Sequence, residues 1–253
     1  MISKPASFDH ACSTSLMAAL DAFRLSNWNL CWRACAVPDV RLFVFDWDGT
    51  LMDSERQIVD CMQLAAADLG LVVPSDEDVR AIIGLGLPEA LQRLFPSYDQ
   101  PLRERIREAY SRHFVAEAGK RSELFPGARD LLEGLRAQGR LLAVATGKSR
   151  RGLDRVLEQT RLMDLFDATR CADETASKPD PLMLREILTS LSVLPREAIM
   201  IGDTTFDLEM AARAGMPSVG IAHGAHAVTE LEKHHPIAIV PDLAALAACL
   251  ASL

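Results

Sequence analysis

The chain has 253 residues, 35 acidic against 27 basic for a net charge of −8, with 49% hydrophobic and 25% charged residues. That length and balance suit a globular protein with room for one large domain or two smaller ones. The acidic excess, with no basic block beyond the helical run Arg150, Arg151 and Arg155, excludes nucleic acid as an expected partner, and no apolar stretch approaches the ~18 residues of a helical membrane span.

Residues 1–40 read as an N-terminal extension of no assigned role. Asp9 and Asp21 interrupt any signal-like apolar run. Ser13 or Thr14 is placed to cap a short helix through Leu16, Leu20 and Phe23, with Trp28 and Trp32 available to pack on the body. From residue 41 short β-rich runs alternate with helical stretches. Residues 41–45, 141–145, 198–201, 217–221 and 237–240 are predicted strands. Helical periodicity marks residues 127–137, 150–158, 181–191, 206–214 and 228–233. This alternation predicts βαβ units, and hence a mostly parallel, Rossmann-like α/β sheet with helices on both faces.

One block breaks the pattern. Residues 54–123 contain no convincing strand and offer helices near 55–69, 76–83, 89–94 and 102–118, with apolar spacing such as Ile58, Met62, Ala65 and Leu69. The predicted organisation is therefore a core from residues 41–53 and 124–253, with an all-helical domain inserted at 54–123 above the first strand's end. Six scattered cysteines with no CxxC pair predict reduced thiols and a reducing cytoplasm rather than a disulfide or zinc framework.

Chemistry gathers at the carboxyl ends of the strands, where such sheets place their sites. The first apolar run leads straight into Asp46, Asp48 and Thr50, although burying carboxylates is costly unless they are paired, hydrogen-bonded or bound to metal. A second strand ends in Thr146, Gly147 and Lys148, a hydroxyl and amides opening a helix, which is an anion-binding arrangement. "SKPDP" sets Lys178 beside two prolines, and "AIMIGDTTFD" ends in Asp203 with Asp207 one turn on. Taken singly, Thr146 reads as a helix cap, Lys178 as a surface residue, and Asp203 and Asp207 as capping groups.

Taken together, DWDGT, ATGK, KPDP and GDTTFD resemble the four ordered motifs of the haloacid dehalogenase superfamily, specifically phosphatases with a helical cap inserted after the first motif. The resemblance spans residues 40–240. It implies a magnesium-dependent phosphatase acting on a small phosphorylated metabolite, with Asp46 as nucleophile and Asp48 as proton shuttle. It further implies magnesium held by the Asp46 and Asp203 carboxylates and the Asp48 backbone carbonyl, phosphoryl oxygens held by Thr146, Gly147 and Lys178, and Asp207 orienting the metal site or Lys178 from behind.

Within that resemblance, "DWDGTLMDS" and "GLGLPEAL" point to phosphoglycolate phosphatases. A substrate with a carboxylate beyond its phosphate calls for a cation or amide donors in the cap, for which Arg80, Arg93, Gly84, Leu85 and Gly86 are candidates. A hexose-phosphate mutase uses the same motifs and a similar cap, and a binding or regulatory protein on the same scaffold is a further alternative; the intact set of Asp46, Asp48, Thr146, Lys178 and Asp203 argues against the latter. His223 and His226 follow the 217–221 strand near the expected site, as capping or surface groups or as site residues.

Overall fold

Strand β1 (Leu42–Phe45) is buried along its whole length, as a central parallel strand requires. The computed structural model describes residues 40–116 and 123–251. The helix expected near residue 14, Trp28, Trp32 and Cys12, Cys31 and Cys35 lie outside the described residues. β1 pairs in parallel with β4 (Leu141–Thr146), Leu42 opposite Leu141, and with β6 (Ala198–Gly202), Leu42 opposite Ala198. With β5 (Ala168–Cys171), β7 (Ser218–Ile221) and β8 (Ala238–Val240) the order is β5-β4-β1-β6-β7-β8, every neighbouring pair parallel. The chain thus builds outward from β1 on one side, then crosses back to build on the other. The carboxyl end of β1 lies at that reversal, where open α/β sheets form their crevice.

On one face, Leu42 and Val44 of β1 and Met200 of β6 pack with Met183, Leu184 and Ile187 of α7 (Leu182–Leu191) and Met210 of α8 (Thr205–Ala214). Phe43 and Phe45 alternate to the opposite face, as the pleat dictates. There α5 (Ala128–Ala137) packs on β4. Each such side chain contributes about 1.5–3 kcal/mol by leaving water.

The inserted block is helical: α1 (Glu55–Asp68), α2 (Asp76–Arg80), α3 (Leu87–Leu94) and α4 (Gln100–Ala116). Its own core joins Ile58 and Met62 of α1, Val79 of α2, Leu91 of α3 and Ile106 and Ala109 of α4. A two-residue antiparallel pair, β2 (Met52–Asp53) with β3 (Glu123–Leu124), ties its two connections together at the edge of the core.

Three features depart from the sequence expectation. β5 is an additional strand. Ala168, Thr169 and Arg170 are only half-buried on this edge, with Arg170 reaching out to Glu186, so no apolar run marks it. The segment expected to be helical over 76–83 leaves the helix after Arg80, because the chain turns through Gly84 at φ +97° to reach the core. Residues 243–250, assigned to no element from the sequence, form a helix, α10 (Leu243–Leu250), started by the Asp242 carboxylate accepting the Ala245 N–H at 2.8 Å. Two further helices belong to the core, α6 (Arg150–Thr160) after β4 and the short α9 (Val228–Leu231) after β7. No helix among the described residues is long and apolar enough to cross a membrane.

Candidate active site

Asp46 extends β1 by one residue, its N–H donating to the Ile201 carbonyl at 2.9 Å, which fixes the side chain at the strand's end. The chain then turns, with the Leu51 and Met52 amides both donating to the Trp47 carbonyl. Gly49 serves this turn twice over. Its φ is +83°, favoured for glycine, and a Cβ there would lie 2.3 Å from Asp203 Oδ2.

Lys178, in the loop between β5 and α7, is fully buried, and the Lys178–Pro179 bond is cis. Its Nζ lies 2.6 Å from Asp46 Oδ1 and 2.7 Å from Asp207 Oδ1, ion-pair contacts rather than well-aligned hydrogen bonds. Asp207 is itself fixed by its helix. Its Oδ2 accepts the Thr204 N–H at 3.1 Å and the Thr204 hydroxyl at 2.6 Å, in a capping box that opens α8. Asp203 directly follows β6; its Oδ1 accepts from the Thr50 hydroxyl and its Oδ2 from the Ala225 N–H, both at 2.8 Å. Thr50 and Ala225 thus hold Asp203 beside Asp46 from either side.

Carboxylate oxygens of Asp46, Asp203 and Asp207 lie within 4.8 Å of one another, all buried. One ammonium faces three carboxylates. Burial lifts the Asp46 carboxyl well above its ordinary range despite Lys178, and burial with the Asp207 charge lifts Asp203 to about 7. Burial works against the Lys178 charge, but Asp207 and Asp46 outweigh it and raise its pKa. Asp46 Oδ2 has no hydrogen-bond partner among the described residues. An unpartnered buried carboxylate oxygen in an under-neutralised, all-oxygen cluster fits a hard divalent cation.

Asp48 lines, together with Asp46, a cavity of about 800 Å³ between the core and the helical block. Ser54 donates to its Oδ1, and Lys148 Nζ lies 2.8 Å from its Oδ2 and 4.9 Å from the centre of the Phe114 ring. Thr146, at the end of β4, lines the same cavity, its Oγ1 accepting the Lys148 N–H at 3.2 Å. Ser149, not Thr146, caps α6. The strand ends therefore bring Asp46, Asp48, Thr146, Lys178 and Asp203 together, with Gly147 at the rim. Thr50 and Lys148, named at the strand ends from the sequence without a role of their own, prove to hold Asp203 and Asp48, and Ser54, just beyond the first motif, was not among the expected site residues.

The helical block meets the core through the Gly84–Gly86 turn. A Cβ on Gly147 would stand 2.4 Å from the Leu85 carbonyl oxygen and 2.6 Å from that of Gly84, and the Gly86 N–H donates to Ser177 at 2.7 Å. Gly84 and Leu85 line the cavity. Arg80 and Arg93 do not. Arg80 is held by Glu55 and Asp76, and the Arg93 guanidinium lies 5.2 Å from the Phe206 ring centre. Both arginines found nearer partners outside the cavity. The two histidines do supporting work. His223 stacks on Phe125 with Nε2 3.2 Å from the Thr50 carbonyl, and His226 Nδ1 accepts the Thr205 N–H at 3.1 Å. Burial lowers the pKa of both rings, consistent with a neutral His226 acting as an acceptor at the start of α8.

The chain resembles proteins of known sequence over most of its length. A family model described as haloacid dehalogenase-like hydrolase matches residues 43–221. "Probable phosphatase IndB" of Dickeya dadantii is 34% identical over 204 residues, covering 79% of this chain and 88% of that protein. The phosphoglycolate phosphatase of Aliivibrio fischeri is 31% identical over 194 residues, 74% of this chain and 86% of its own. A crystal structure from Bacteroides fragilis, described as a haloacid dehalogenase-like hydrolase, superposes with a TM-score of 0.77 at 29% identity, over 82% of this chain and all of that one. With those motifs on adjacent strand ends of one parallel sheet, the chain belongs to the haloacid dehalogenase-like hydrolases.

Proposed function

We propose that this protein is a magnesium-dependent phosphatase that hydrolyses a small phosphorylated metabolite through an aspartyl-phosphate on Asp46. The observation that carries this reading is the division of labour between two carboxylates two residues apart. Both line the cavity, Asp46 held against Lys178 and a carboxylate cluster where the phosphoryl group would be attacked, and Asp48 held by Ser54 and Lys148 where a substrate's alcohol would lie.

In the first step an Asp46 oxygen attacks phosphorus, the phosphorus–oxygen bond to the alcohol breaks, and the Asp48 carboxyl gives its proton to the departing oxygen. In the second, the Asp48 carboxylate takes a proton from water as that water attacks phosphorus, and the bond to Asp46 breaks. Asp46, Asp203 and the Asp48 backbone carbonyl would hold magnesium, which supplies positive charge to a dianionic phosphate approached by a carboxylate. Asp207 is better suited to steering Lys178, since one of its oxygens faces the ammonium and the other faces Thr204. The Thr146 hydroxyl, the amide that follows it and Lys178 would hold the phosphoryl oxygens. Residues 54–123 act in this reading as a cap over residues 41–53 and 124–253. Cys61 and Cys171 are both buried, in keeping with the reduced thiols of a cytoplasmic protein in this reading.

The test is release of inorganic phosphate from a panel of phosphorylated metabolites with magnesium. Excess EDTA is expected to lower release more than about 10³-fold, roughly 4 kcal/mol in barrier, with recovery on adding magnesium. Full activity in EDTA would overturn the metal assignment. Phosphoglycolate belongs on the panel because several relatives carry that name. If its kcat/KM lies more than about a hundredfold below the best ester, that substrate is excluded and the phosphatase reading stands.

Gly147→Ala tests whether the Gly84–Leu85 turn stays seated during turnover. Relieving a backbone overlap of this kind typically takes about 1–3 kcal/mol, so kcat/KM should fall about tenfold or more with the melting temperature of the core little changed. Wild-type kcat/KM would show that the turn is not held against Gly147 when the reaction occurs.

A further inference from the structure

The cavity is large for a two-carbon acid. Its volume of about 800 Å³ lies high in the range of about 300–1,000 Å³ typical of pockets that enclose drug-sized ligands. Asp46, Asp48 and Thr146 take only its phosphoryl end. Beyond them the helical block supplies an apolar wall that includes Met62, Ile83 and Leu87. Tyr110 and Phe114, one turn apart on α4, add two aromatic rings with centroids 5.6 Å apart and planes tilted by 36°. The Tyr110 side chain lies within electrostatic reach of Asp48. Phosphoglycolate would leave most of this wall in contact with water.

Resting on the phosphatase reading, we infer that the natural substrate is the phosphomonoester of a bulky, ring-bearing alcohol, whose ring packs against Tyr110 and Phe114 while its ester oxygen meets Asp48. Aromatic side chains suit this task, because a ring packed edge-to-face or offset against them gains attraction beyond the area it buries. Binding energy collected on the ring, away from the reacting centre, is then available to seat the phosphate on Asp46. Arg151 and Arg155, one turn apart on α6 at the rim and without an ion-pair partner among the described residues, accept polar or anionic substituents beyond the ring.

Benzyl phosphate and ethyl phosphate share a primary alcohol as leaving group and differ in the ring, so their comparison isolates this wall. With the full chain and magnesium, kcat/KM for benzyl phosphate is expected to exceed that for ethyl phosphate by at least about thirtyfold, roughly 2 kcal/mol. It is expected to exceed that for phosphoglycolate as well. Tyr110→Ala and Phe114→Ala should each bring the benzyl-to-ethyl ratio down toward one, whereas Tyr110→Phe, which keeps the ring and the packing of α4, should preserve it. A wild-type ratio within threefold of one overturns the inference, as does phosphoglycolate turned over tenfold better than benzyl phosphate. Absence of phosphate release from all three esters would instead count against the phosphatase reading itself.

Discussion

Asp46→Asn is expected to lower turnover by at least about 10⁴-fold, some 5.5 kcal/mol in barrier, while the protein stays folded. The amide keeps the carboxylate's shape but is a far weaker nucleophile and a poorer ligand for a hard cation. The fold tolerates the change because Lys178 retains Asp207 at 2.7 Å, so no buried ammonium is orphaned. The substitution also removes one of three crowded carboxylates, and burial already raises the Asp46 pKa well above the ordinary range. Steady-state kcat and a thermal melt of the same preparation decide the matter. Turnover within tenfold of wild type would remove Asp46 from the covalent role, and loss of the folding transition would show that its charge is structural.

Lys178→Met should damage both activity and stability, and this separates it from the Asp46 substitution. The ammonium is fully buried and stands between Asp46 and Asp207 at 2.6 and 2.7 Å. Removing one partner from a buried ion pair leaves uncompensated charge, which costs about 3–5 kcal/mol. Methionine fills similar space, so cavity formation adds little. Denaturant unfolding in EDTA is expected to show that loss, and added magnesium should restore part of it, because the cation neutralises the carboxylates Lys178 left behind. Turnover should fall at least about 10³-fold, since the phosphoryl oxygens lose a fixed positive charge in a dry site. A variant as stable as wild type in EDTA would show that the Lys178 charge is not what holds this cluster in the folded protein.

The central strands were legible because their chemistry is local. β1, β4 and β6 are short apolar runs bounded by polar residues, and a parallel strand buried on both faces demands that pattern. The residues at the ends of those runs inherit a common sheet edge, so the sequence alone puts Asp46, Thr146 and Asp203 together. β5 escaped notice because an edge strand with Arg170 turned outward carries no such run. The helical insertion was legible from its periodicity, but its exit after Arg80 was not, since the turn through Gly84 answers to Ser177 and Thr204 in the core.

By itself the sequence determined the parallel α/β architecture, the helical insertion, and which carboxylates, hydroxyl and lysine stand at the strand ends, because side-chain alternation and motif order need no knowledge of distant neighbours. Only the tertiary structure decided which cation meets which anion. Arg80 and Arg93, offered by sequence as cap contacts, are drawn to Glu55 and Phe206, while Lys148 reaches Asp48 from a strand end 100 residues away. A long cationic side chain goes to the nearest anion or aromatic face in space, and that distance is set by packing between elements far apart in the chain. The cavity beyond Asp48 was decided the same way, by Tyr110 and Phe114 of α4 meeting the ends of β1 and β4.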